Sequence, residues 1–246
     1  TLSSSSAASD VYKRQITNTP LYSFIFTLPL LLVYELGLFA ISSNDLPLLR
    51  NGADVLMRQI LEMFGIVGTY GFGGTFLVGF IIAFIRQKKE LEASQIKGEY
   101  LLTMLFESIG WALILMLAMI RAPEYLMATK DERLLQQVVL AVGAGIYEEF
   151  VFRVILITGF ASVLGLVFQW GKIGKNTVSI LLASAMFSGF HFLGPFGEQP
   201  SLDLFLVRLF AGTFLGALYI LRGFGIAAYT HTIYDLIVLI KFTTSS

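Results

Sequence analysis

The sequence predicts an all-α fold: a polytopic membrane bundle of about seven transmembrane helices, with one interfacial helix lying against it. Three observations predict this. The chain of 246 residues is 56% hydrophobic, with 22 Phe, and only 14% charged, far below the roughly 25% charge of soluble domains. Its apolar residues arrive in blocks of about 20, the length a helix needs to cross a hydrocarbon core of about 30 Å. Between the blocks stand helix-start and turn signals. The formal net charge is zero, with no basic or acidic run, which argues against a nucleic-acid partner. The absence of cysteine excludes disulfides, thiol nucleophiles and thiolate metal sites, and leaves the compartment open.

Residues 1–15 are set apart first. The stretch "SSAASDVYKRQ" (Ser5–Gln15) resembles the read-through translation of a transposase sequencing adapter, and is expected to contribute no structure. The native start is then expected to lie outside this sequence, and no signal peptide is read. Seven spans follow, at about Leu21–Ile41, Ile66–Ile85, Leu101–Ile120, Leu134–Thr158, Thr177–Leu193, Leu202–Leu221 and Phe224–Ile240. Pro29 is expected to kink the first. "NGADVLMRQILEMF" (51–64) opens on Asn51, a candidate N-cap, and mixes Arg58 and Glu62 with apolar residues, as an interfacial helix does. Thr129 and Glu132 form a capping box before the fourth span, and residues 165–176 connect it to the fifth. This divides the chain into 16–130, an N-terminal transmembrane region with the interfacial helix 51–64, and 131–242, a core that carries the chemistry. Lys and Arg on alternate sides number seven against six, so charge does not set the orientation.

Two glycine patterns are dismissed. "GKIGKNT" lacks the spacing of a phosphate loop, and "GFGG" (71–74) lacks the third glycine of a dinucleotide fingerprint. Gly71, Gly73 and Gly74, like Gly212 and Gly216, are expected to let helices approach closely.

Glu35, Glu107, Glu148, Glu149, Arg153, His191, Arg208, His231 and Asp235 all fall within the spans. Each is costly in hydrocarbon, which makes it a candidate for function or for pairing. Glu149 and Arg153, four apart, share a helix face and can pair. Glu148 is rotated about 100° from them; the positions three and four away from it hold Ala144, Gly145, Val151 and Phe152. One dipeptide therefore offers an ionised structural Glu149 and a Glu148 suited to general-base work. A helix-packing salt bridge is the plainer reading. The two histidines of the chain are His191, four after Phe187, and His231, four before Asp235. Asp235 can orient the His231 ring, or both can ligate a metal. Either His can also be a hydrogen-bonded packing residue. Glu35, Glu107 and Arg208 receive no role beyond structural pairing.

The ordered set E-E-x-x-x-R, F-x-x-x-H and H-x-x-x-D (Glu148, Glu149 and Arg153; Phe187 and His191; His231 and Asp235) resembles the CPBP family of intramembrane endopeptidases. That family includes the eukaryotic Ras-converting CAAX protease and bacterial bacteriocin-processing and immunity proteins. Each pattern is common by itself; the three in order, across 148–235, are specific. "YELG" and "NGADV" upstream look like bacterial members. The resemblance implies a bundle with a water-filled cavity in the membrane of a bacterial cell. There Glu148 and His191 would activate water for peptide hydrolysis, while His231 and the residue four later would stabilise the oxyanion. The eukaryotic form has Asn where this chain has Asp235. An ionised Asp cannot donate to an oxyanion, so Asp235 stays protonated, orients His231, or binds a metal.

The reading is thus an intramembrane endopeptidase acting on a membrane-associated peptide or lipidated protein, with Glu148, Glu149, Arg153, His191, His231 and Asp235 as its site. No cofactor is required; one divalent metal such as zinc, if present, would be held by Glu148, His191, His231 and Asp235. A proton- or ion-coupled transporter is the rival, because Glu/His/Asp chains also serve as relays; it predicts an inverted repeat, which the sequence does not show. A non-enzymatic immunity or scaffold protein of the same fold is the third reading.

Overall fold

A computed structural model describes residues 4–41, 52–63, 81, 85, 96–119, 134–193 and 197–243. Among them every regular element is helical: α1 (Ser4–Thr17), α2 (Pro20–Ala40), α3 (Gly52–Met63), α4 (Gly98–Ala118), α5 (Leu134–Leu166), α6 (Lys172–Phe190), α7 (Leu202–Arg222) and α8 (Phe224–Thr243). The span expected at 66–85, the Asn51 cap, the glycines at 71–74 and the Thr129–Glu132 capping box lie outside the described residues.

Local chemistry explains where the elements start and stop. Thr19 caps α2, its hydroxyl accepting from the Tyr22 N–H at 3.4 Å, and Pro20 sits in the first turn, where no N–H is needed. α2 runs through Pro29 without interruption. α7 ends at Gly223, whose φ of +81° is open to glycine and strained for other residues. Its N–H closes the helix on the Tyr219 carbonyl at 2.8 Å, and α8 begins at the next residue.

α2, α4, α5 and α7 are long and apolar enough to cross a membrane. Large apolar side chains such as Leu36, Phe39, Phe106 and Leu117 point outward from them, exposed, which is the surface a bilayer requires. Among the described residues the expected count of seven is therefore not reached by this measure. α6 and α8 form where two further spans were expected, but they are diluted by Ser, Thr, Lys, Gly, His and Asp. α8 packs against α2, α4, α5 and α7, so neighbouring helices cover much of it and its polar residues face protein.

The fourth span differs from the expected α-helix. It is longer, ending at Leu166 instead of near Thr158, and it is wound as π-helix over Ala144–Glu148 and Phe150–Ile157. A π-turn closes on residue i+5, is wider than an α-turn, and occurs frequently at functional sites. Ser4–Thr17 also differ from expectation, being helical where none was foreseen. The last turn of α1 meets Arg222, whose Nη2 donates to Thr17 Oγ1 at 3.2 Å and Nη1 to the Arg14 carbonyl at 3.4 Å. A Ser/Ala/Lys/Gln-rich stretch has adequate helix propensity, so its helicity does not bear on where those residues come from.

Gly212 and Gly216 let α7 approach its neighbours, as their spacing implies. A Cβ on Gly212 would stand 3.1 Å from Ser184 Cβ, and one on Gly216 3.0 Å from Ile180 Cγ2. Two of the intramembrane carboxylates are structural. Glu107 takes two bonds from Arg222, at 2.6 and 2.7 Å, and Glu35 accepts from Tyr147 at 3.0 Å, tying α2 to the π-wound part of α5.

Candidate active site

The site is assembled where the π-wound part of α5 meets α8. Gly145 makes that approach possible: a Cβ there would overlap Thr232 Oγ1 and stand 2.7 Å from the Ala228 carbonyl oxygen. With the two helices this close, His231 of α8 reaches the glutamates of α5. The wider winding turns less per residue than an α-helix, and both Glu148 and Glu149 lie within electrostatic reach of His231 and Asp235. The two still differ in what they face: Glu148 lines the cavity, whereas Glu149 holds His231 Nδ1 and Arg153.

Glu149 is fully buried and holds two partners through one oxygen. Its Oε1 lies 2.8 Å from His231 Nδ1 and 3.0 Å from Arg153 Nη1. The arginine contact is an ion pair without hydrogen-bond alignment, since Nη1 and Glu149 Oε2 find no aligned partner among the described residues. Arg153, itself buried, donates from Nη2 to the Gly212 carbonyl at 3.4 Å and lies 4.8 Å above the Phe187 ring. A carboxylate only accepts, so His231 carries a proton on Nδ1 and turns Nε2 toward Asp235, whose Oδ2 is 3.5 Å away.

His191 is the residue that ends α6, one past the helix instead of inside a longer span. Its Nδ1 lies 2.9 Å from the Phe187 carbonyl. A carbonyl also only accepts, so this ring too is fixed as the Nδ1–H tautomer and presents Nε2 as its reactive nitrogen. Phe187 sits between the imidazoles, its ring centre 5.0 Å from that of His191 and 6.2 Å from that of His231, edge-on to both. It therefore packs Arg153 and both histidines, a wider role than seating His191.

Glu148, His191, His231 and Asp235 line one cavity of about 380 Å³, walled by apolar side chains such as Leu140, Ala144 and Val238. Glu149 and Arg153 stand behind that wall. The six candidates thus divide into four that face the cavity and two that hold one of the four in place. The volume suits a short peptide segment and water.

The family model for type II CAAX prenyl endopeptidase Rce1-like proteins matches residues 130–237, which contain all three motifs. Over this region the chain is similar to the CAAX protease family. No curated protein and no solved structure matches the chain significantly. The family is one of membrane proteases, and the lipid-facing helices described above agree with a multi-pass integral membrane protein.

A metal at this site would fall to Glu148, His191, His231 and Asp235. Among the described residues no three His, Asp or Glu side chains are grouped closely enough to ligate one ion.

Three cavity-lining residues escaped the sequence reading. Arg208 had been left to structural pairing; it lines the cavity, and its Nη2 donates to Glu198 Oε1 at 2.6 Å. Glu198 lies in the connection between α6 and α7, where no periodicity marks it. Tyr234, beside Asp235, buries a hydroxyl that has no partner among the described residues. Its position next to the third motif was the available signal.

Proposed function

We propose that the chain is an intramembrane endopeptidase in which Glu148 and His191 activate the water that hydrolyses a peptide bond of a membrane-associated substrate. What supports the reading is the convergence of four polar side chains, from α5, the end of α6 and α8, on one cavity, in a region matching a protease family.

Glu148 takes a proton from water as the oxygen attacks the scissile carbonyl, and the same proton later passes to the leaving amine. His191, its Nδ1–H committed to the Phe187 carbonyl, offers Nε2 to the same water. His231 faces the cavity through Nε2, and in its protonated form donates to the oxyanion. Glu149 fixes the His231 tautomer, and Arg153 counters the Glu149 charge. Asp235 orients His231 from the cavity side.

The test is purified protein in liposomes with a peptide library, read by mass spectrometry beside Glu148→Gln. Cleavage by the wild type that falls at least about 10²-fold in the variant is expected, the low end for loss of a general base. Equal cleavage by both, or none by the wild type, overturns the reading.

A further inference from the structure

The water-activating groups leave one cation of the cavity unused. Arg208, on α7, is about 5% exposed and lines the same cavity as His191. Its guanidinium is only partly satisfied: Nη2 holds Glu198 Oε1, whereas Nη1 is buried without a partner among the described residues. The ring of Phe192 lies 5.8 Å from it. The pair is asymmetric, because the Glu198 side chain is about one-third exposed and that of Arg208 is 6% exposed. Glu198 can therefore give way to solvent once another carboxylate takes its place, while the arginine cannot follow. The backbone N–H of Glu198 also donates to the His191 carbonyl at 3.0 Å, which places the cation close to the proposed chemistry.

We propose that Arg208 is the binding site for a carboxylate of the peptide substrate, and that Glu198 occupies it in the substrate-free protein. The proposal rests on the proteolytic reading of the cavity. An incoming carboxylate keeps the bond that Glu198 makes and adds one to Nη1, the fork geometry arginine provides for carboxylates. Guanidinium and carboxylate are then both satisfied in a site with little water. The carboxylate is either the C-terminal group of the substrate or an Asp or Glu side chain near the bond cleaved.

One peptide library, prepared as C-terminal acids, as C-terminal amides, and as amides carrying an added Asp, tests this in liposomes. Binding is measured on Glu148→Gln protein and cleavage on protein with Glu148 intact. Acids, or Asp-bearing amides, should bind roughly 10-fold or more tighter than plain amides, as hydrogen bonds to charged groups do. Which of the two is favoured identifies the source of the carboxylate. Arg208→Gln should bring that ratio to about 1, and Glu198→Gln should raise it by removing the competitor. If Arg208→Gln does not fold, Glu198→Gln carries the test. Equal binding of all three libraries, a ratio that survives Arg208→Gln, or one unmoved by Glu198→Gln overturns the proposal. Cleavage without a preference leaves the protease standing and removes the carboxylate site; a preference in binding without cleavage does the reverse.

Discussion

Replacing Arg153 by methionine removes a charge while keeping most of the side-chain volume, so it isolates what the guanidinium does. Arg153 and Glu149 are both buried, 3.0 Å apart. Breaking one half of such a pair costs about 3–5 kcal/mol, because the remaining charge is stranded. Loss of the stacking on Phe187 at 4.8 Å adds roughly 0.5–2 kcal/mol. His231, at 2.8 Å from the same Glu149 oxygen, offsets part of this only if it is protonated. Arg153→Met is therefore expected to lose about 3–5 kcal/mol in a detergent unfolding titration, with activity falling as well. Removing both charges, in Glu149→Gln/Arg153→Met, should return most of that stability, since no stranded charge remains. Activity should not return, because His231 then leans on a neutral amide. A double variant as unstable as the single would refute the ion-pair account. A double variant with full activity would show that Glu149 does nothing through His231.

Glu148→Gln, by contrast, should leave the unfolding transition within about 1 kcal/mol of wild type while turnover drops; a large loss of stability would make Glu148 a packing residue. Gly145→Ala places a methyl 2.7 Å from the Ala228 carbonyl oxygen. Overpacking of about 1–3 kcal/mol should push α5 from α8, and stability and activity should fall together. Unchanged melting of Gly145→Ala would contradict the close approach. Asp235→Asn keeps a carbonyl oxygen that can accept from protonated His231 Nε2 and removes only the charge, so turnover should stay within about 10-fold of wild type, and treatment with a chelator should not abolish it. Stoichiometric zinc, lost together with activity in Asp235→Asn, would overturn the metal-free chemistry.

Much of the helical layout was legible because period and length are local properties. α2, α4 and α7 begin and end within a few residues of the spans read from hydropathy alone. The same logic also located α6 within a few residues and the start of α8 at Phe224, although Lys172, Lys175, His231 and Asp235 interrupt the apolar pattern. Their polarity is tolerated because other helices and the cavity surround it. The π-winding of α5 carries no clear residue-level signal in "AGIYEEFVFRVILI": no proline marks it, and Gly145 answers to the close approach of α8. Glu198 was invisible because a connection between helices has no period against which a charge looks misplaced.

By itself the sequence determined that the chain is a helical membrane protein with ionisable residues in three ordered motifs, because both facts follow from the cost of polar groups in hydrocarbon. The i,i+4 pairs Glu149–Arg153 and His231–Asp235 were likewise readable, being set by helical spacing. Only the tertiary structure decided that Glu149 serves His231 as well as Arg153, that both imidazoles are fixed through Nδ1, and that Arg208 faces the same cavity as Glu148. The first of these joins residues 82 positions apart, and the last brings together residues of two different helices. Distance in sequence carries no information about them; the close approach of α5 to α8 at Gly145 does.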